Sequence, residues 1–264
     1  MARIALGIEY DGSGFCGWQT QPSRCALQDA VEKALSQIAG QAVATICAGR
    51  TDAGVHASAQ VVHFDCETLR PESAWIRGVN ALLPDAVAVT WMRDVGTEFH
   101  ARYGALERRY HYIMLDQAVR PALNRDHVGW IHQSLEIEPM RAAAVHLLGK
   151  HDFSAFRSSE CQANSPVREL RQLNVERRGD YVVFELVANA FLHHMVRNIV
   201  GSLAYVGAGR RAPEWLQEVL GARDRSKAAP TIAAAGLYLT GVSYDAKFTL
   251  PQARRSVWFN VLGL

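Results

Sequence analysis

Between Arg3 and Met92 the apolar residues switch repeatedly between the two-residue period of a strand and the 3.6-residue period of a helix, and this order constrains the fold more than any other feature. Arg3 to Tyr10 alternates as a strand does. Leu27, Val31, Leu35 and Ile38 share one stripe of a helix that Gly40 stops. Val43 to Cys47 and Gln60 to Asp65 are runs rich in β-branched residues. Pro71 opens a second helix that ends before Pro84, and Val87 to Met92 is a further strand. Strand, helix, strand, strand, helix, strand is the ferredoxin-like order that RNA-recognition domains also use.

A second half repeats this plan with elaborations. Glu107 to Leu115 is a strand, Arg120 to Ile131 is irregular, and Pro139 to Leu148 is a helix ended by Gly149. Arg168 to Arg177 and Tyr181 to Ala188 form a hairpin around Arg178-Gly179-Asp180. Phe191 to Val206 is helical, with Phe191, Met195, Ile199 and Leu203 as its apolar stripe, followed by a helix over Pro213 to Leu220 and a strand over Leu237 to Tyr244. The expected class is α+β, with two ferredoxin-like, RRM-like halves at 1–104 and 105–264. No Gly/Ser/Pro-rich linker parts them, so one continuous sheet is expected.

With 264 residues, 49% of them hydrophobic, the chain can bury a large core. It has no apolar run near the 18 or so residues of a membrane helix, and its N-terminus enters a strand without a signal-peptide pattern, so a cytoplasmic location is expected. The cysteines at 16, 25, 47, 66 and 161 are odd in number and never spaced C-x-x-C, which predicts buried free thiols and no zinc knuckle. The histidines form no H-E-x-x-H, and no metal is expected. Net charge is only +2, yet Lys33, Lys150, Lys227 and Lys247 are the sole lysines among 28 basic residues. Arginine offers a planar fork for phosphates and a flat face for bases, although a genomic bias accounts for the excess equally well.

Gly12-Ser-Gly-Phe-Cys-Gly17 is literally G-x-G-x-x-G, but Pro22 prevents the helix that the dinucleotide motif requires, so the match reads as accidental. Three other stretches hold the chemistry. Ala48-Gly49-Arg50-Thr51-Asp52-Ala53-Gly54-Val55-His56-Ala57 lies between two strands and places Asp52 at the tip of a glycine-framed turn. An aspartate there is either an ordinary turn residue bonding its own backbone or a positioned carboxylate. Asn189 to Gly201 puts His193, His194, Arg197, Asn198 and Gly201 on the arc opposite the apolar stripe, and Gly201 lets something large approach that face. On the strand Glu107-Arg108-Arg109-Tyr110-His111-Tyr112, Arg108, Tyr110 and Tyr112 share one side, an interleaving suited to stacking on unpaired bases, or to an ordinary core with arginines at its edge.

These stretches, with Tyr10-Asp11-Gly12, Gly17-Trp18-Gln19, Phe99-His100-Ala101-Arg102, Gly149-Lys150-His151-Asp152-Phe153 and Gly236-Leu237-Tyr238-Leu239, resemble the tRNA pseudouridine synthase A family over nearly the whole chain. The departure is Pro230-Thr231-Ile232-Ala233-Ala234-Ala235, where many members have a second proline and a histidine; this segment is expected to lie outside the chemistry. The resemblance implies a homodimer without metal or organic cofactor, with a long central antiparallel sheet flanked by helices. It implies conversion of uridine to pseudouridine at positions 38, 39 and 40 of the tRNA anticodon stem-loop. Carried over by residue, it makes Asp52 the nucleophile, Tyr110 the residue stacked on the target uracil, Arg197 the partner of the aspartate, and Arg50 the side chain that replaces the flipped base. Phe99, His100, Ala101, Arg102 and Tyr103, and Glu160, Cys161, Gln162, Ala163 and Asn164, resemble RNA-contacting segments.

Two other functions stand beside this one. A non-catalytic RNA-binding protein has no need of an aspartate on a glycine-framed loop. A glycosidase or nucleosidase requires a second carboxylate as acid, and neither catalytic stretch supplies one.

Overall fold

A computed structural model describes residues 2–251, so the end of the expected second half, 252–264, lies outside the described residues. The described residues divide into two compact units, one built from 2–107 together with 238–251, the other from Arg108–Leu237. Both are α+β.

In the first unit, β1 (Ala2–Tyr10) is central, paired antiparallel with β3 (His56–Cys66) on one side and β4 (Val87–Val95) on the other. Its interior residues, Ile4 to Ile8, are almost wholly buried, as a strand covered on both faces must be. Helix α1 (Leu27–Ala39) buries Leu27, Val31, Ala34 and Leu35, and ends where Gly40 turns left-handed at φ 70° and donates to Ser36. The capping carboxylate is Asp29, which accepts from the Ala26 amide at 3.2 Å.

The expected strand over Val43 to Cys47 shrinks to β2 (Ile46–Cys47). The Val43 amide donates to Ser36 Oγ and the Thr45 amide to the Glu32 carboxylate, so α1 side chains take the bonds a ladder would have used. The expected helix over Pro71 to Leu83 contains a π-helical turn at Ala74–Gly78, which sets Trp75 edge-on to Phe64 at 5.3 Å. A last strand, β10 (Leu237–Ser243), lies parallel to the start of β3, pairing Tyr238 with His56 and Leu239 with Ala57.

The second unit is organised on β5 (Glu107–Asp116), β7 (Gly149–Asp152), β8 (Val167–Arg178) and β9 (Tyr181–Ala188), in the order β5-β9-β8-β7, all antiparallel. Short β6 (Gly129–Ile131) runs parallel to β5, and Gly179, at φ 60°, closes the expected β8–β9 hairpin. Helix α2 (Ile137–Val145) packs on β8 and on α3 (Met195–Gly207), and α4 (Trp215–Ala222) completes the helical layer.

Helix α3 begins four residues later than its apolar stripe predicts. His194 sits in the left-handed region at φ 63°, which breaks the helix before Met195 and leaves Phe191 and His193 in the chain ahead of it. On the arc expected opposite the stripe, Asn198 and Gly201 are buried, while Arg197 is half-buried. Among the described residues no helix is long and apolar enough to cross a membrane.

Two of the five cysteines correct the expectation of free thiols: Cys16 and Cys25 are joined as a disulfide, with Cα atoms 5.5 Å apart. The chain between them doubles back, and the Cys16 amide donates to the Cys25 carbonyl at 3.1 Å, which brings the two side chains within reach. Cys47 and Cys66 are buried thiols, and Cys161 is half-buried. Burial pushes the Cys47 thiol up to about 12, so it stays protonated and inert.

Candidate functional site

The Asp52 turn is held from three directions within the first unit. The Val55 amide closes it onto the Asp52 carbonyl at 3.2 Å, with Gly54 in the left-handed region at φ 76°. From β1, the Tyr10 hydroxyl meets Thr51 Oγ1 at 2.8 Å. From β3, the buried Gln60 side chain donates to the Gly49 carbonyl at 2.7 Å and to the Tyr10 hydroxyl at 3.4 Å. The third support is the loop after β1, where the Trp18 amide donates to the Thr51 carbonyl at 2.9 Å. Asp52 is half-buried and Arg50, two residues earlier, is exposed.

The G-x-G-x-x-G run takes its meaning from this packing. Helix α1 starts only at Leu27, so the run is no dinucleotide turn, but two of its glycines are required. A β-carbon on Gly12 would stand 2.0 Å from the Val55 carbonyl oxygen, and one on Gly17 2.8 Å from the Thr51 oxygen. Gly17 also lies at φ 95°, whereas a β-carbon on Gly14 would meet nothing within 4 Å. The resemblance of these glycines to a phosphate cradle is accidental; their closeness to the aspartate turn is not.

His56, at the foot of the turn, is buried and stacks on Tyr238 at 4.7 Å. Its Nδ1 lies 3.1 Å from both the Gly12 amide and Asp11 Oδ1. A neutral ring accepts from the amide there, while a protonated ring donates to the carboxylate.

The Phe99 to Tyr103 stretch separates into buried and exposed halves. Phe99 and Ala101 are fully buried, with Phe99 packed on Tyr244 and Phe248 at 5.0 and 5.1 Å, so their side chains anchor the segment. Ala101 donates to His63 Nδ1 at 3.1 Å and accepts from the Tyr244 hydroxyl at 2.7 Å. Burial, with His100 adding to it, pushes the His63 imidazole down to about 4, which keeps Nδ1 free to accept. His100 Nδ1 in turn accepts from the Arg102 and Tyr103 amides, curling the segment so that Tyr103 is 78% exposed, beside the His100 ring at 4.5 Å and with the Arg102 guanidinium 5.6 Å from its centroid. A flat aromatic face with a cation on it suits a nucleobase.

In the second unit β5 shows the expected alternation. Arg108, Tyr110 and Tyr112 are buried on one side, and Arg109 and His111 lie on the other. Tyr110 stands opposite Leu186 in the ladder and meets the Phe191 ring edge-on at 5.1 Å. Arg108 Nη1 donates to the Asn189 carbonyl at 2.9 Å, tying the strand to the chain entering α3. Arg197 lies in the first turn of α3, half-buried, and donates from Nε to the Ile232 carbonyl at 2.8 Å. The Tyr112 phenol is raised by burial, with the positive charge of Arg197 working against that shift.

Glu160 to Asn164 hangs from the same region. The Ser158 amide donates to the His193 carbonyl at 2.9 Å, and the Cys161 amide to Ser158 at 3.1 Å. Glu160, Gln162 and Asn164 are exposed, whereas Cys161 and Ala163 are half-buried. The structure thus groups Tyr110, Phe191 and Arg197 around the entry to α3, and groups Asp52 with Arg50 on one turn of the first unit. Tyr10, Gln60, Gly12 and Gly17 are supports that a reading of single motifs passes over. Tyr10, Gly12 and Gly17 lie in motifs that carry the family resemblance, whereas Gln60 has no sequence signal of its own.

A model of the family described as tRNA pseudouridine synthase matches residues 7–104 and 143–245. Curated relatives named tRNA pseudouridine synthase A align along most of their own length. The protein of Thiobacillus denitrificans is 59% identical over 253 residues, 96% of this chain and 97% of the relative. That of Chromobacterium violaceum is 57% identical over 251 residues, 95% and 96% of the two chains, and that of Nitrosomonas eutropha 53% over 260 residues, 98% and 92%. Matched on both sides of the chain's midpoint, with the Asp52 turn and the Arg197 helix inside the matched residues, the chain belongs to the tRNA pseudouridine synthase family, a family of isomerases.

Proposed function

We propose that this protein isomerises uridine to pseudouridine at positions 38, 39 and 40 of the tRNA anticodon stem-loop, with Asp52 as its nucleophile. The observation that supports this best is the Asp52 turn itself, a carboxylate braced through Thr51 and Gly49 and pressed by two glycines, inside the matched residues of the family. The reaction breaks the N1–C1′ bond, rotates the uracil and joins C5 to C1′. No electrons are gained or lost overall and no group enters or leaves, so the conversion balances without a cofactor. A carboxylate stabilises or attacks a sugar carbon that gains positive charge, as in retaining glycosidases.

The target uridine is flipped out at a cost of a few kcal/mol. Stacking on Tyr110 returns roughly 1–3 kcal/mol of this, and Arg50 fills the place the base has left. Desolvation by the bound RNA favours the neutral acid, and the Arg197 guanidinium supplies the counter-charge that keeps Asp52 ionised during turnover. His100, Arg102 and Tyr103, with Glu160, Gln162 and Asn164, contact the RNA; Phe99, Ala101, Cys161 and Ala163 shape those two segments. The working form is a homodimer acting on tRNA in the cytoplasm.

The test is a tRNA labelled with tritium at uridine C5. Tritium release without free uracil, together with loss of release in Asp52→Asn at a tRNA affinity within a few-fold of the parent, supports the reading. Free uracil would reveal a hydrolase, and binding without release a non-catalytic RNA-binding protein.

A further inference from the structure

The segment from Ala229 to Gly236 has no helix or strand of its own, yet it is fastened to α3 and β5 at five places, one of them the Ile113 amide donating to the Gly236 carbonyl at 2.8 Å. Ser202 Oγ accepts from the Ala229 amide at 3.2 Å, and Thr231 Oγ1 donates to Asn198 Oδ1 at 2.6 Å. The Ile232 carbonyl accepts from Arg197 Nε at 2.8 Å, and the Ala233 carbonyl from the Tyr112 hydroxyl at 2.9 Å. Gly201 allows this approach, since a β-carbon there would stand 2.7 Å from the Pro230 oxygen. What comes close to the Gly201 face is therefore the chain's own segment.

At the centre is Asn198, fully buried on α3 between Arg197 and the apolar Ile199 and Val200. Its Nδ2 donates to the Phe156 carbonyl at 2.8 Å, and its Oδ1 accepts from both Thr231 and, at 3.1 Å, Arg225 Nη2. The same Arg225 nitrogen reaches Thr231 Oγ1 at 3.1 Å. Asn198, Thr231 and Arg225 thus form a closed triangle of polar contacts, and Ser202 Oγ donates to the Asn198 carbonyl at 2.8 Å beneath it.

A guanidinium is planar, so the Nε–H and Cδ–Nε bonds together fix the plane and both Nη ends. For Arg197 the Nε–H direction is set by where the Ile232 carbonyl points. The residue directly before Ile232 is Thr231, pinned through its hydroxyl. We infer that Asn198, Thr231 and Arg225 are positioning residues that aim the Arg197 guanidinium through the Ile232 carbonyl. This inference rests on the catalytic role given to Arg197 above. It also brings residues 230–235, expected from sequence to lie outside the chemistry, into its support.

Thr231→Val keeps the side-chain shape and removes both hydroxyl contacts, while Thr231→Ser keeps the hydroxyl. A displacement of about 1 Å at a reacting group costs on the order of a hundredfold in rate. The expected result for Thr231→Val is a kcat for pseudouridine formation roughly 10- to 100-fold lower, with KM for tRNA within about twofold and an unchanged melting temperature. Thr231→Ser should stay within about threefold of the parent. Arg225→Met approaches the same node from its other side and should give the same kcat-specific loss, so the test survives if one variant folds poorly.

The decisive comparison is Thr231→Val placed in an Arg197→Lys background, where no Nε remains to meet the carbonyl. There the added loss should be at most about threefold, because contacts acting through one group are not additive. A parental kcat in both Thr231→Val and Arg225→Met, or an undiminished further loss in the Arg197→Lys background, overturns the inference. If Arg197→Ala alone retains the parental rate, it is the catalytic reading of Arg197 that falls, and the positioning role with it.

Discussion

Replacing Gly17 with alanine tests whether the loop after β1 governs the aspartate turn. Gly17 adopts φ 95°, where a residue with a β-carbon loses about 1–2 kcal/mol. The new carbon would stand 2.8 Å from the Thr51 oxygen and 3.1 Å from both the Asp52 carbonyl carbon and the Ala53 nitrogen, all main-chain atoms that cannot swing aside. Relieving such overpacking adds about 1–3 kcal/mol. The total, about 2–5 kcal/mol, lowers the melting temperature of a chain this size by 4 °C or more, at about 2–4 °C per kcal/mol. Because the carbon presses on Asp52 itself, kcat should fall by roughly a hundredfold while tRNA affinity, set mainly by phosphate contacts, holds. Gly14→Ala is the internal control: three residues away in the same loop, it meets nothing within 4 Å and should shift the melting temperature by less than about 2 °C. Thermal melting with tritium release on both variants decides the matter. Equal behaviour of Gly17→Ala and Gly14→Ala would refute the buttress.

Arg197→Lys should lose nearly as much activity as Arg197→Ala, since lysine keeps the charge but not the planar fork; a normal rate for the lysine variant would reduce Arg197 to a distant charge. Tyr110→Phe should bind tRNA normally yet form product roughly 10²–10⁴-fold more slowly if the hydroxyl accepts the C5 proton, and near-normal turnover would shift that task to His56, His193, His194 or Asp52. Stability should fall as pH drops from 6.5 toward 4, because the folded His63 is held down to about 4 and the unfolded chain binds that proton more readily in this window. Denaturant unfolding at pH 7, 5.5 and 4.5 should show the slope, and an equal slope in His63→Gln would assign it to other groups.

The elements legible in the sequence are those whose period is set by burial on one side. β1, α1 and the β8–β9 hairpin stand where alternation, the helical stripe and Arg178-Gly179-Asp180 place them. The errors share a cause, which is a side chain or dihedral overriding the local pattern. Ser36 and Glu32 take the amides of Val43 and Thr45 and shorten β2. His194 at φ 63° delays α3 against an unbroken apolar stripe. The Cys16–Cys25 bond depends on a loop doubling back, and a spacing of nine residues has no signature. The Asp52 turn was conspicuous because arginine, threonine and aspartate crowd a glycine frame. Its supports were not, since Tyr10 and Gln60 look like ordinary strand residues until β1 and β3 pair.

The strand β10 has a consequence for synthesis on the ribosome. The first unit needs residues from Tyr238 onward, yet some 130 residues of the second unit, from Arg108, are translated before them. At about 5–20 residues per second this interval lasts about 7–26 s. Until then the His56–Ala57 end of β3, which pairs with β10 in the finished fold, has no β10 main chain to meet. His56, at the foot of the aspartate turn, likewise waits for the Tyr238 ring. The His56–Tyr238 stack and the pairing of β3 with β10, which join the foot of the aspartate turn to the end of the chain's described residues, thus form only after the whole second unit has been translated.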